Sequence, residues 1–470
     1  MSEASILYET VIRNGYCIGC GSCAHVEGSP FRIILNEFGC FYADHGEEIL
    51  ENNAASVLSV CPFACGSKTE NELSDIFFPE VDQSDNSIGK YISCFAGYVN
   101  VGDFRAEGSS GGIAKWLGYE LLKSGEIDCF VQIAANESCD PGSLLFDYQL
   151  FSDANDVLNG STSAYYPTTI ADIIGKLLDK NLKYAITAVP CTIKALRLLS
   201  LQDERLRKRI KYTIGIVCGG LKSANYAKLV GWELGIHPSN LSRIEFRGKY
   251  SNRPANEKIY TAWSCVDGTS RSKDASQIYG TGYAAGFFKP LACDYCDDVL
   301  AETADIAIGD AWLKEYVQDP RGTSMIVVRH HQLLKLLQIA RRRKDISLES
   351  IGPEDVASSQ KGGLRHRREA LSRRIAKKQA GGEWVPPKRI KANQYAISRR
   401  RRRIYDCREK IAQKSHVAFS KALQKDCLSI FHKEMNPLII SFAIANFYEL
   451  LPKLPRRVYL FLKQKVKRYL

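Results

Sequence analysis

YAITAVPCTIKALRLL, residues 184–199, passes from a predominantly apolar run to an amphipathic one across a single Pro-Cys pair. The first six residues read as a strand, and Ile193–Leu199 reads as a helix opened by a strand-to-helix turn. Working outward, CFAGYVNV (94–101), IDCFVQIA (127–134) and YTIGIVC (212–218) read as further strands. IAKWLGYELLKSG (113–125) has helical spacing, a basic last turn and Gly125 as its stop. This alternation, from about Cys94 to Trp312, predicts an α/β domain with a mixed or parallel sheet. After Trp312 come MIVVR (325–329) and a basic helix through Arg343. No internal repeat is present.

The N-terminus carries a different signal. YCIGCGSC (16–23) places Cys17, Cys20 and Cys23 in seven residues, and a Cys61-Pro62 pair follows. C-x2-C-x2-C with a later Cys-Pro is the ligand pattern of a four-iron, four-sulfur cluster. Gly19 and Gly21 supply the backbone freedom such a loop needs, and Pro62 stiffens the turn carrying the fourth thiolate. That turn favours Cys61 over Cys65. Zinc sites use paired cysteines or Cys and His pairs rather than a triplet, and a disulfide framework is the bland alternative. Residues 1–80 therefore read as a ferredoxin-like 4Fe-4S module ending near Pro79, with Asp82–Ser87 as a polar linker.

At 470 residues the chain has room for two or three domains, and its 45% apolar content is ordinary globular composition. MSEASILYET is short and acidic, unlike a signal peptide, and sixteen cysteines point to thiolate chemistry in a reducing compartment. A cytoplasmic location is expected. The net charge of +12 is uneven: residues 361–470 hold 29 Lys and Arg against 7 Asp and Glu, leaving 35 against 45 in 1–360. Residues 331–470 read as a basic helical extension, of which the appendage from about 361 to 470 docks the chain and takes no part in chemistry. Its apolar run at 437–452 is too short to span a bilayer, and the basic amphipathic end beyond it would suit an anionic membrane surface, on the inner face. Packing on the acidic body is an equal alternative. Nucleic acid is disfavoured, because no aromatic groups interleave the Arg399–Arg403 run.

Four more cysteines sit at turn-like positions: Cys191, Cys218, and Cys293 with Cys296. Spacing alone leaves the last two as a metal or cluster pair or as packed thiols, and favours packing for the first two. Ser109-Ser110-Gly111-Gly112 opens a helix, as a phosphate-binding turn would, with Arg105 and Lys115 nearby; the same four residues also make a good N-cap and turn. Lys222 and Arg247 could meet an anionic substrate or be solvated charges, the latter being the better reading for Arg247. Trp312 could cover a ligand or fill the core.

Over residues 15–330 these segments together resemble the beta subunit family of coenzyme F-420 hydrogenases and dehydrogenases. That family includes formate dehydrogenase beta subunits and 7-hydroxymethyl chlorophyll a reductase. The resemblance rests on the Cys17–Cys23 triplet, Ser109–Gly112, Leu121-Leu122 through Asp128, and Ser163, Tyr165 and Pro167. It continues through Val189–Leu196, Val217–Gly220, and Cys293 and Cys296 with Asp305-Ile306 and Gly309–Trp312. Thr192 and Ala188 depart from the family's glutamine and glycine, and the C-terminal tail has no counterpart.

The resemblance implies an FAD and 4Fe-4S binding catalytic domain over 90–330. Cys191, Cys218, Cys293 and Cys296 would hold a second 4Fe-4S cluster beside the flavin. Ser109, Ser110, Gly111, Gly112, Ser163 and Tyr165 would border the FAD, with Tyr165 against its ring system. The expected function is an oxidoreductase coupling one-electron transfer through two clusters to two-electron redox of an organic substrate or deazaflavin coenzyme. The alternative is a non-catalytic electron-relay subunit of a larger dehydrogenase complex. The expected partners are a redox donor (ferredoxin, deazaflavin or nicotinamide) and a redox partner subunit. No catalytic residue stands out.

Overall fold

Tyr184–Ala188 is buried at all five positions, which is what a strand covered on both faces requires. Pro190 occupies the first turn of the helix Pro190–Gln202, where its missing N–H costs nothing. This unit sits near the middle of an eight-stranded mixed sheet in the computed structural model, which describes residues 1–136 and 143–450. In chain order the strands are β1 (Ser93–Val99), β2 (Cys129–Ala135), β3 (Phe146–Phe151), β4 (Tyr184–Ala188), β5 (Ile210–Ile216), β6 (Ile306–Asp310), β7 (Ser324–Val328) and β8 (Ile346–Ser350). Their order in the sheet is β8-β1-β7-β6-β5-β4-β2-β3. The β6-β5, β5-β4 and β4-β2 pairings are parallel, and every pairing outside this central block is antiparallel. The expected mixed α/β sheet is thus present, and β4 and β5 end on the same rim.

The first 80 residues contribute a hairpin, Arg32–Leu35 against Phe41–Asp44, and a capped helix, Glu70–Phe77. They share one apolar core with the sheet domain: Leu7, Val11, Val57 and Val60 lie in the same cluster as Ile186, Leu196 and Ile375. A separate three-stranded sheet, Leu241–Gly248, Ile259–Ser264 and Ser270–Asp274, stands beside the main one.

The segment from 331 onward is less separate than its charge suggests. The helix His331–Arg342 buries Leu333, Leu337 and Ala340, and β8 pairs antiparallel with β1 to complete the sheet edge. Further on, Lys388 donates to Pro62 O at 3.1 Å, and the Arg389 guanidinium meets Glu302 at 2.6 and 2.9 Å. The Tyr16 ring lies 5.6 Å from that of Trp384. Helices Arg399–Gln424 and Leu428–Leu450 pack on each other, burying Phe419, Phe431 and Met435. The apolar run expected to lie on a membrane is partly spent on packing through Leu438, Ile439, Phe442 and Ala445, although Ile440 and Ile444 remain exposed. Its last residues and the basic amphipathic end lie outside the described residues. Among the described residues no helix is long and apolar enough to cross a membrane.

Candidate functional site

The triplet loop is tight because Gly19 and Gly21 adopt left-handed φ of 63° and 95°. A Cβ on Gly19 would lie 2.3 Å from the Phe41 Cβ, so no other residue fits there. The loop brings Cys17, Cys20 and Cys23 to one cavity, and the Cys61-Pro62 turn brings Cys61 to the same cavity. Cys65 is exposed. Among the described residues, no charged side chain lines this space. Burial pushes the Cys20 thiol up to about 11 and Cys61 up to about 12. The amides of Gly19 and Ala43 donate to the Cys17 sulfur at 3.4 and 3.3 Å. Buried thiols facing inward backbone donors suit thiolates once a cationic centre replaces their protons.

The second quartet forms on the sheet rim. Cys191 lies in the first turn of the helix after β4, and Cys218 follows β5, its amide donating to Val299 O at 3.0 Å. Cys293 and Cys296 come from the short helical turn Leu291–Tyr295 and its end. All four line one cavity, together with Arg367 and Asp298. The Leu221 amide donates to the Cys293 sulfur at 3.2 Å. Burial pushes Cys293 up to about 12 and Cys296 to about 11, and the neighbouring Arg367 charge opposes that rise in both.

Ile18 and Phe63 line both cavities, so the two quartets face neighbouring voids that share these two apolar side chains. Among the described residues no three His, Cys, Asp or Glu side chains converge on a single-ion site. The quartets wall two voids, and the donor set of the first, three cysteines in one loop with a Cys-Pro, fits the ligand pattern of a cluster.

The Ser109–Gly112 turn has a structural explanation of its own. Gly112 has φ 82°, and a Cβ there would lie 2.3 Å from Phe104 O; one on Gly111 would lie 2.5 Å from Gly97 O. Ser110 Oγ donates to Thr323 O at 2.7 Å, and the Gly111 amide donates to Ser324 Oγ. The turn is thus fitted between β1 and β7. Arg105 and Lys115, expected to assist a phosphate, are held internally: Arg105 by Asp319 and Gly322 O, Lys115 by Glu107 O and Leu158 O.

The cations not singled out from the sequence flank the neighbouring three-stranded sheet, Lys249 just after the strand Leu241–Gly248 and Lys258 just before Ile259–Ser264. Lys249 Nζ donates to Ser110 O at 3.1 Å and to Arg105 O, so it ties that sheet to the turn. Lys258 is buried next to Lys249 and Arg247; burial and these charges push it down to about 7, and Lys249 to about 8. Only the basic run Arg247–Lys249 hinted at this, since Lys258 sits in an ordinary polar loop.

Arg247 is not a solvated charge, contrary to the expectation from sequence. It is 7% exposed and forks onto Asp310 through two 2.7 Å hydrogen bonds, with its guanidinium 5.5 Å from the Trp312 ring. Tyr165 is half-buried, with its ring 5.3 Å from Phe246 and 6.0 Å from Tyr283. Tyr283 in turn reaches Gly220 O, beside Cys218. Lys222 is buried, donates to Phe287 O, and is pushed down to about 7 chiefly by burial. Ser163 is half-buried, close to Tyr165 along the chain. A run of aromatic and basic side chains therefore extends from the Ser110 turn to the second quartet.

Comparison with known proteins gives the family. Residues 94–175 match the family described as coenzyme F420 hydrogenase/dehydrogenase, beta subunit N-term, and residues 181–354 match its C terminus. A curated relative is a subunit of the F(420)H(2) dehydrogenase of Methanosarcina mazei. It is 24% identical over 333 residues, covering 66% of this chain and 82% of that protein. Among solved structures, a chain of the xenon-derivatised F420-reducing [NiFe] hydrogenase complex of Methanosarcina barkeri is 17% identical. The likeness covers 67% of this chain and 100% of that chain, with a TM-score of 0.48. The cysteine-bearing α/β sheet thus belongs to a member of the coenzyme F420 hydrogenase/dehydrogenase beta-subunit family, a family of oxidoreductases.

Proposed function

We propose that the chain is a flavin and iron–sulfur oxidoreductase that couples two-electron redox of a deazaflavin coenzyme or another organic substrate to one-electron transfer. The observation that carries this reading is the pair of cysteine quartets facing neighbouring cavities with Ile18 and Phe63 in common. Cys17, Cys20, Cys23 and Cys61 would hold one 4Fe-4S cluster, and Cys191, Cys218, Cys293 and Cys296 the other. When bound, a flavin exchanges electrons in pairs and a cluster exchanges them singly, so the two together convert one mode into the other.

This chain's residues supply the housing. The apolar lining of the first cavity excludes water. Gly19, Ala43 and Leu221 offer amide hydrogens to sulfur, which tunes a cluster's potential. Lys249 and Lys258 present positive charge beside the Ser109–Gly112 turn, as the diphosphate of FAD requires. Given how that turn packs, its glycines serve the chain's own backbone and the cations do the anion binding. Tyr165 and Tyr283 would border the ring system between those cations and the second quartet.

An electron-relay role inside a larger assembly is the second reading. It is favoured by one specific observation: the curated relative is named as a subunit of a dehydrogenase. Anaerobic turnover separates the two. With reduced deazaflavin as donor and a one-electron dye as acceptor, the isolated chain should reduce the dye, and Cys218→Ser should abolish this. A chain that carries flavin and iron yet never reduces the dye would leave only the relay role.

A further inference from the structure

Arg367 belongs to the wide helical turn His366–Ala370, beyond residue 354 where the family match ends. We propose that Arg367 is a positioning residue that balances the charge of the second cysteine quartet and raises the reduction potential of the cluster there. The proposal rests on the cluster reading above.

The geometry is specific. Arg367 is 2% exposed and lines the cavity with Cys191, Cys218, Cys293 and Cys296. Its Nη2 donates to Cys218 O at 3.1 Å and approaches the Cys218 sulfur at 3.8 Å, while its Nε has no acceptor among the described residues. Neighbouring buried cations are treated differently. Arg374 and Lys289 share Asp294, and Arg389 pairs with Glu302. Arg329 is satisfied by a set of backbone carbonyls. Asp298, the acid on the same cavity, turns its carboxylate to the amides of Leu300 and Glu302.

A buried guanidinium with neither a carboxylate partner nor a full set of carbonyl acceptors is costly unless some other anion faces it. Four thiolates around an iron–sulfur core make such an anion. Reduction adds a negative charge to it, so a fixed cation favours the reduced form and raises the potential. The first cavity has no charged side chain in its lining among the described residues. The two clusters should therefore differ in potential, with the electron resting at the second.

The test is an anaerobic redox titration, followed by EPR, of the full chain and of Arg367→Gln and Arg367→Lys, with iron content measured on each sample. Cys218→Ser identifies which signal belongs to the second cluster. Arg367→Gln should keep its iron and move that cluster alone to lower potential. The expected change is about tenfold in its reduced-to-oxidised ratio at fixed potential, or about 59 mV for one electron. Arg367→Lys, which keeps the charge, should stay near wild type. Loss of half the iron in the Gln variant but not in the Lys variant would equally support a charge role. Full iron with both midpoints unmoved in Arg367→Gln overturns the proposal, as does an identical loss or shift in both variants. If Cys218→Ser keeps wild-type iron, the cluster reading itself fails, and that result involves no change at position 367.

Discussion

At the scale of single residues, glycines and buried charges shape the two sites. Cys20→Ser should remove one cluster's worth of iron, about 4 Fe per chain, and leave the second quartet loaded; iron and sulfide analysis reads this directly. Gly112→Val would do more than obstruct a phosphate, because the added Cβ would meet the Phe104 carbonyl. It should lower stability by about 1–3 kcal/mol or more, seen as a fall in Tm, whether or not flavin is present. Lys258 offers a pH test. Pushed down to about 7, it is charged below that pH and neutral above it. An anionic cofactor held through that charge should bind more weakly as pH rises from about 6 to about 8. Fluorescence of released flavin checks this, and a flat profile contradicts a role for Lys258. Cys17, Cys20 and Cys23 could be read from spacing alone because one loop makes the site. Lys258 and Arg367 could not, since Lys258 sits in an ordinary polar loop and the cysteines beside Arg367 lie far away in sequence.

At the scale of elements, the strands could be read and the tail could not. The apolar runs at 94–101, 127–134, 184–189 and 212–218 became β1, β2, β4 and β5, because strands buried in a sheet advertise themselves as predominantly apolar stretches. The basic segment after 331 read as an appendage because net charge hides where individual charges go. Lys388 and Arg389 in fact enter an acidic pocket formed by Glu70, Asp297 and Glu302. A chain ending near residue 360 would leave those carboxylates buried with fewer partners, so it should be unstable rather than merely undocked. In the full chain, Arg389→Ala alone should cost about 3 kcal/mol, since removing one member of a buried ion network leaves the others uncompensated. Denaturant unfolding measures this, and a change below about 0.5 kcal/mol would show that the network is well solvated.

At the scale of the whole molecule, the parallel centre of the sheet explains why two cysteines from separate strands meet. The C-terminal ends of β4 and β5 share one rim, and the loop at Cys293–Cys296 folds over it. The N-terminal residues pack into the same core, which brings the first quartet against the second through Ile18 and Phe63. The proposed electron path depends on that adjacency. No spacing rule in the sequence predicts it, because it depends on how two regions dock. The most direct measurement is EPR of the dithionite-reduced chain, quantified against its iron. Two neighbouring 4Fe-4S clusters should give about 8 Fe per chain and a signal broadened by magnetic interaction. Either Cys20→Ser or Cys218→Ser should simplify that signal to the spectrum of an isolated cluster. A wild-type chain with about 4 Fe, or with zinc in place of iron, or with two signals that never interact, would contradict it.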